Sequence, residues 1–457
     1  MTDPRDAGAR VPAPVSPVLD SARARALAYA ETERHPLVEA FVAARCGGRG
    51  RPRLDVAAGD EMLHYALAEQ FQHRGLALFS YLRSGLTAAE TLEQILGWRF
   101  GDPARTPSLL DFASGYGRVT RFLAQTVGAE RITVGEISRG AVEFQRRLLG
   151  VDAVLSTALP CDLELGRRHA AVAVLSLFTH LPDSSFRAWL ARLWGAVDEG
   201  GVLVFSVNDE AVLFPGRAMP AEGLYFEPVS ENAELAAADY GTTWVAERWV
   251  ARAIDAACGG ATRYLRIPRG LWHFQDLYVV ARAPAPAHLG PCAVELPPEG
   301  YLDACIPVAP DRVRVSGWAI DRGAPETPPR ITIEIDGVVR AETRAVEERE
   351  DLAAVHGAAH LRSGFVAEVA SGGGALRPDQ ILAVRATSSG GRDTLLHLSP
   401  VEGADLGRRV AGALDEVRGE NLHLRRANAD LHRKIELMEQ SRFWKLRNLW
   451  WRLRGRR

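Results

Sequence analysis

Lysine is almost missing from this chain. Lys434 and Lys445 are the only two in 457 residues, and every other basic side chain is arginine. No Tyr-x-x-x-Lys pair can therefore form before Lys434, which weighs against a nucleotide-sugar dehydrogenase or epimerase. Cysteine is sparse and scattered. Cys46, Cys161, Cys258, Cys292 and Cys305 form an odd set without metal-ligand spacing, so reduced thiols are expected and neither a disulfide framework nor a metal site. Charge of one sign is lacking as well. The formal net charge is -2, too small to attract nucleic acid, and none is expected as a partner. No apolar run is long enough for a secretory leader or a bilayer span, which predicts a cytoplasmic protein. The length exceeds what one core organises, so two or three domains are expected.

What is present changes texture along the chain. Residues 1–57 form a leading segment, Pro/Ala/Gly-rich and disordered over 1–20, then helical over 21–45, with a break at 46–53. Helical patterns follow over 60–84 and 87–98. From 108 short apolar runs alternate with helices: SLLDFA (108–113), RITVGE (131–136), DAVLS (152–156), AVAVLSL (171–177) and GVLVFSV (201–207). Helices are predicted at 117–127, 138–149, 183–197 and 243–257, and two more strands at 262–267 and 273–280. Buried strands alternating with helices mean βαβ units and a parallel sheet covered on both faces. This domain is bounded at 58–282 and followed by a linker at 283–299. Residues 300–400 read as a small antiparallel β-sandwich, with runs such as RVRVSGWAI and RITIEIDG between turn residues.

The chemistry is expected at the end of the first core strand, in Asp111-Phe112-Ala113-Ser114-Gly115-Tyr116-Gly117-Arg118. Glycines at a strand-to-helix turn let a ligand approach the backbone, and the next helix offers free N–H groups. The dinucleotide pattern GxGxxG is absent. At the end of the second strand stands Glu136, followed by Ile137. An acid there can accept both ribose hydroxyls of a bound nucleoside.

The order acid-x-small-x-Gly-x-Gly resembles motif I of the class I S-adenosylmethionine-dependent methyltransferases, with Ala113 where that family usually has Gly. Residues 173–182, AVLSLFTHLP, look like its motif IV, and Asp198-Glu199-Gly200-Gly201 like its loop before the fifth strand. The runs TRYLRI and HFQDLYVV are similar to its sixth strand and reversed seventh. The resemblance spans about 60–282. It implies a Rossmann-like sheet of seven strands, the last one reversed, and S-adenosyl-L-methionine held by Asp111, Ala113, Gly115, Gly117, Glu136, Ile137, Thr157 and Ser176. Ser156, Thr157 or Asp162 would lie beside the adenine. His180 is the candidate base, His273 a second; Glu231 and Tyr240 are candidates for an acceptor pocket. A structural role for each of these four is the plainer alternative.

The remaining chain is appended. Residues 408–441 place Leu414, Asn421, Asn428 and Ile435 at heptad positions a, and Val410, Val417, Leu424, Leu431 and Met438 at d. Asparagine at a favours a two-stranded parallel coiled coil, hence a homodimer; a single amphipathic helix on the sandwich is the alternative. Residues 442–457, RFWKLRNLWWRLRGRR, carry seven basic residues, no acid and three Trp. Such a helix suits an anionic membrane surface at the inner face, with nucleic-acid phosphate or a partner helix as alternatives. The whole order resembles methyltransferases of bacterial surface-polysaccharide assembly. That implies a sugar hydroxyl of a glycan or its precursor as acceptor. A non-catalytic, membrane-tethered dimeric adaptor that binds S-adenosylmethionine or S-adenosylhomocysteine is the competing expectation.

Overall fold

The computed structural model describes residues 35–70, 73–214, 216–228, 238–260, 264–282 and 292–401. The coiled coil at 408–441, the tail at 442–457, the stretch 1–34 and Glu231 lie outside the described residues.

Three helices lead: α1 (Pro36–Arg45), α2 (Glu61–Glu69) and α3 (Arg74–Phe100). Each starts on a side-chain cap. His35 Nδ1 accepts from the Leu37 N–H at 3.2 Å, Asp60 from Met62 at 2.9 Å, and His73 from Leu76 at 3.3 Å. The break expected between residues 84 and 87 is absent, and α3 runs through it. Ser84 and Thr87 donate their hydroxyls to the helix's own Tyr81 and Arg83 carbonyls at 2.9 and 3.0 Å, so neither competes with the helix. The break falls earlier, before the His73 cap. Gly101, in the left-handed region at φ +83°, ends α3.

The central sheet takes β1 (Leu109–Phe112), β2 (Ile132–Glu136), β3 (Asp152–Leu155), β4 (His169–Val174) and β5 (Val197–Asp209). It also takes β6 (Leu224–Glu227), β7 (Thr242–Val245), β8 (Tyr264–Leu271) and β9 (Gln275–Ala281). Its main order is β3-β2-β1-β4-β5-β9-β8, with β9 antiparallel to both neighbours. That is the expected mixed sheet with one reversed strand. It holds nine strands rather than seven, because β7 pairs with the end of β5 and β6 with β7. Thr242–Val245, predicted as the start of a helix, is β-branched and aromatic and fits a pleated surface better.

Four helical segments connect the strands: α4 (Thr120–Leu123, continued by a π-turn to Gly128), α5 (Arg139–Leu149), α6 (Asp183–Gly195) and α7 (Glu247–Cys258). Alternate residues of each strand face opposite layers. Leu109, Val134, Ala173 and Val204 pack with α1 to α5, whereas Leu110, Val172, Leu203 and Phe205 pack with α6 and α7.

Residues 299–400 make two four-stranded antiparallel sheets around one core. The first is β10 (Glu299–Ala309), β11 (Arg312–Ile320), β15 (Arg362–Ala370) and β14 (Glu347–Glu348). The second is β13 (Val338–Arg344), β12 (Arg330–Ile335), β16 (Ile381–Thr387) and β17 (Asp393–Pro400). Val313, Val315 and Phe365 meet Ile331, Ile333 and Val384 between them. This sandwich is joined to the helical layer. Leu395 and Leu398 belong to the core of α1 and α3, Arg45 pairs with Asp393 at 2.5 Å, and Arg83 donates to the Leu395 carbonyl at 2.9 Å.

Candidate active site

Asp111 ends in a buried position at the carboxyl edge of β1, where the Thr120 hydroxyl donates to it at 2.7 Å. Burial lifts its pKa to about 6; Thr120 opposes the rise and the nearby Glu136 charge adds to it. The loop that follows bends through the left-handed region three times, at Ala113 (φ 59°), Gly115 (φ 58°) and Gly117 (φ 75°). At Ala113 this conformation costs an L-residue about 1–2 kcal/mol, and its N–H donates to the Gly135 carbonyl at 2.7 Å to hold it. Gly117 is required on two counts. Besides its φ, a Cβ there would lie 2.8 Å from Gln145 Oε1 and 2.7 Å from Leu149 Cδ1. The same buried Gln145 amide donates to Ser114 Oγ and the Gly115 carbonyl, both at 2.8 Å, clamping the loop onto α5. At Gly115 a Cβ would meet nothing within 4 Å. The loop therefore presents bare backbone to open space.

Glu136 stands beside it. Its carboxylate accepts from the N–H groups of Gly115 (2.8 Å), Ile137 (2.8 Å) and Ser138 (3.1 Å), which fixes it at the mouth of the loop. Burial raises its pKa, and the three N–H bonds pull against that rise. Ile137, Leu155 and Leu159 are exposed large apolar side chains. Leu155 is the register partner of Glu136 on β3, so an apolar flank adjoins the acid. Thr157 donates its hydroxyl to the Leu159 carbonyl at 2.7 Å, and Ser156 donates its N–H to the Glu136 carbonyl at 2.8 Å. Asp162 is exposed one turn further on. An acid, a bare glycine loop and an apolar flank fit a nucleoside with a polar tail.

The third group lies past β4. Ser176 (φ 61°) donates its N–H to Ser206 Oγ at 2.8 Å, and its hydroxyl meets the Gln275 side-chain amide at 2.9 Å. His180 stacks on Tyr240 with ring centroids 4.6 Å apart, and its Nδ1 lies 2.8 Å from the Gly241 carbonyl oxygen. Ser176, His180 and His273 share a cavity of about 410 Å³. Its walls come from α2, α3, the turn between β8 and β9, and the sandwich edge at Glu299, Gly300, Thr394 and Leu396. His273 has a buried Nδ1 without a hydrogen-bond partner among the described residues, and burial pulls its pKa down to about 4. It is neutral at pH 7.

The structure thus gathers Asp111, Ala113, Gly115, Gly117, Glu136 and Ile137 at one strand edge, with Ser176 and His180 at the neighbouring strand. Tyr240 backs His180 and is not among the residues lining the cavity. Sequence reasoning did not assign Arg83, Arg118, Trp272 or Gln275, all of which line it. Only Arg118 carried a signal, directly following Gly117.

Residues 109–201, from β1 into β5, match the family described as a methyltransferase domain. No curated protein sequence matches the chain. Among solved structures it is similar to an O-methyltransferase family protein from Burkholderia thailandensis, at 15% identity over 48% of this chain and 60% of that one, TM-score 0.33. It is also similar to an S-adenosylmethionine-dependent methyltransferase from Clostridium acetobutylicum, at 11% identity over 44% of this chain and 92% of that one, TM-score 0.32. A third is CalS10, an amino pentose methyltransferase from Micromonospora echinaspora, at 18% identity over 44% and 92%, TM-score 0.32. Overlaps this low say nothing about an acceptor. The family match covers the loop and its acid. Residues 109–201 are thus a methyltransferase domain within the longer chain.

Proposed function

We propose that this enzyme methylates a hydroxyl of a sugar in a surface glycan or its precursor, and that the cavity at Ser176 and His180 receives the acceptor. The observation that carries this reading is the position of the cavity. It adjoins the carboxyl edge of β4, where ligands of such sheets bind, and Arg118 of the glycine loop reaches it. The cofactor, when bound, supplies a methyl group already activated on a sulfonium. Gly115 and Gly117 would admit its polar tail, Glu136 its ribose hydroxyls, and the flank of Ile137 and Leu155 its base. Positioning of the acceptor then accounts for most of the acceleration.

His180 has the geometry of a base. The Gly241 carbonyl can only accept, so Nδ1 carries the hydrogen of the neutral ring and the lone pair sits on Nε2. In this reading Nε2 takes the hydroxyl proton as the oxygen attacks the methyl group. With methyl-labelled cofactor and glycan extracted from the source cells, label should enter a sugar ether. His180→Ala should lower kcat about 10²–10⁴-fold and leave S-adenosylhomocysteine affinity intact. Unchanged turnover would remove His180 from proton transfer. Cofactor binding without labelling of any glycan would favour the adaptor reading. The heptads at 408–441 support a homodimer, and the basic Trp-rich tail supports attachment to the inner membrane face.

A further inference from the structure

The cavity wall holds positive charge that the protein does not neutralise by contact. Arg118 lies over the Trp272 ring, 4.6 Å from its centroid, and donates from Nη1 to Ser84 Oγ at 3.0 Å. Arg83 lies over Phe79 at 5.2 Å and donates from Nη1 to the Leu395 and Leu396 carbonyls at 2.9 and 3.4 Å. Rings, a hydroxyl and carbonyls orient a guanidinium without cancelling its charge. Neither arginine makes an ion pair among the described residues, and each uses only Nη1 in these hydrogen bonds.

The carboxylates nearby do not close the balance. Glu299 is taken up by Arg322, which donates to it from Nε at 2.8 Å. Glu69 and Asp60 remain: the field of Glu69 reaches both arginines and that of Asp60 reaches Arg118, but neither makes an ion pair with them among the described residues, and Asp60 accepts from the Tyr81 hydroxyl at 2.5 Å. Two guanidinium groups thus line the cavity without a carboxylate in contact, in a space partly shielded from water. Charge held that way is costly unless a ligand brings the opposite sign. Guanidinium planes fixed by stacking are suited to a planar or tetrahedral oxyanion.

We infer that the acceptor carries an anionic group, a phosphate or a carboxylate, and that Arg83 and Arg118 hold it. The substrate class is then an acidic or phosphorylated sugar rather than a neutral one. This rests on the reading of the cavity as the acceptor site. It also gives the sandwich a part in substrate choice, because β17 supplies the carbonyls that aim Arg83. Burial acts in the same direction for both arginines, lowering their pKa values while leaving them cationic.

The test uses the full chain saturated with S-adenosylhomocysteine and titrated with glucose 6-phosphate, glucuronate and glucose. Wild type, Arg83→Gln, Arg118→Gln and Arg83→Lys are compared, with S-adenosylhomocysteine affinity measured for each. At least one anionic sugar should bind about tenfold or more tighter than glucose. Each Gln variant should lose about that factor, Arg83→Lys, which keeps the charge without the planar fork, should fall between Arg83→Gln and wild type, and cofactor affinity should hold throughout. Preference between the two anionic sugars distinguishes phosphate from carboxylate. Equal binding of glucose, no anion binding to the loaded wild type, or anion binding unchanged in both Gln variants would overturn the inference. Loss of S-adenosylhomocysteine affinity with anion binding intact would also overturn it, assigning the arginines to the cofactor's own carboxylate. A wild type that binds anionic sugar but no S-adenosylhomocysteine would instead defeat the methyltransferase reading.

Discussion

His169 opens β4 with no solvent exposure and with neither ring nitrogen hydrogen-bonded among the described residues. Burial pulls its pKa down to about 4, and the Arg167 charge acts the same way. The folded pKa lies below the unfolded one, so the unfolded chain takes up the proton first as pH falls. Stability present above pH 6.5 is therefore lost as pH falls toward 4. Replacing His169 by Leu should raise stability at pH 7 by about 1–2 kcal/mol, from the unsatisfied nitrogens alone. At pH 5 the advantage should widen by about 2 kcal/mol. Urea unfolding at the two pH values checks this; an equal gap at both would mean that the imidazole stays hydrated. At this scale the sequence was informative where backbone chemistry repeats, as in Gly117 and Glu136. Ala113 also drew notice as a departure, and its φ of 59° shows why glycine would suit that place. It was silent on Arg83, whose role depends on a sandwich carbonyl more than three hundred residues away.

Helix α3 shows what an element can hide. Gly85-Leu86 read as a break, and the structure uses it as a thin place in a continuous helix. A Cβ on Gly85 would stand 2.2 Å from the Arg118 carbonyl oxygen, so the glycine loop rests directly on helix backbone. Alanine is favoured over glycine in a helix by about 1 kcal/mol, and that preference should be overridden here. Gly85→Ala should destabilise the protein and weaken S-adenosylhomocysteine binding by displacing the loop, as calorimetry and thermal melting would show. A stabilised variant with normal binding would mean that loop and helix can part without cost. The parallel strands were legible because each carries a short run of apolar residues. β6 and β7 were not, since β6 lies in a stretch without helical or alternating pattern, β7 reads as the start of the helix at 243–257, and the pair joins the sheet only at the end of β5.

For the whole molecule, the succession of a parallel sheet and an antiparallel sandwich was readable from shifts in periodicity, whereas their packing was not. Nothing in the β-patterned sequence announces that Leu395 and Leu398 complete a helical core, or that Glu299 and Leu396 wall the cavity. Such contacts join residues whose only link is three-dimensional. The tail is a whole-molecule matter too. Its seven basic residues, each worth about 1 kcal/mol near an anionic surface, predict flotation with anionic vesicles and loss of flotation when 442–457 is removed. Unchanged flotation of the truncated chain would place the contact elsewhere. We propose above all that the Asp111–Gly117 loop and Glu136 hold S-adenosylmethionine. Calorimetric titration of S-adenosylhomocysteine into wild type and Glu136→Ala tests it most directly. Wild type should bind in the micromolar range, where about -8 kcal/mol is released, and the variant should show no detectable binding. A folded wild type that takes up no S-adenosylhomocysteine, or a variant that binds it equally well, would contradict the account.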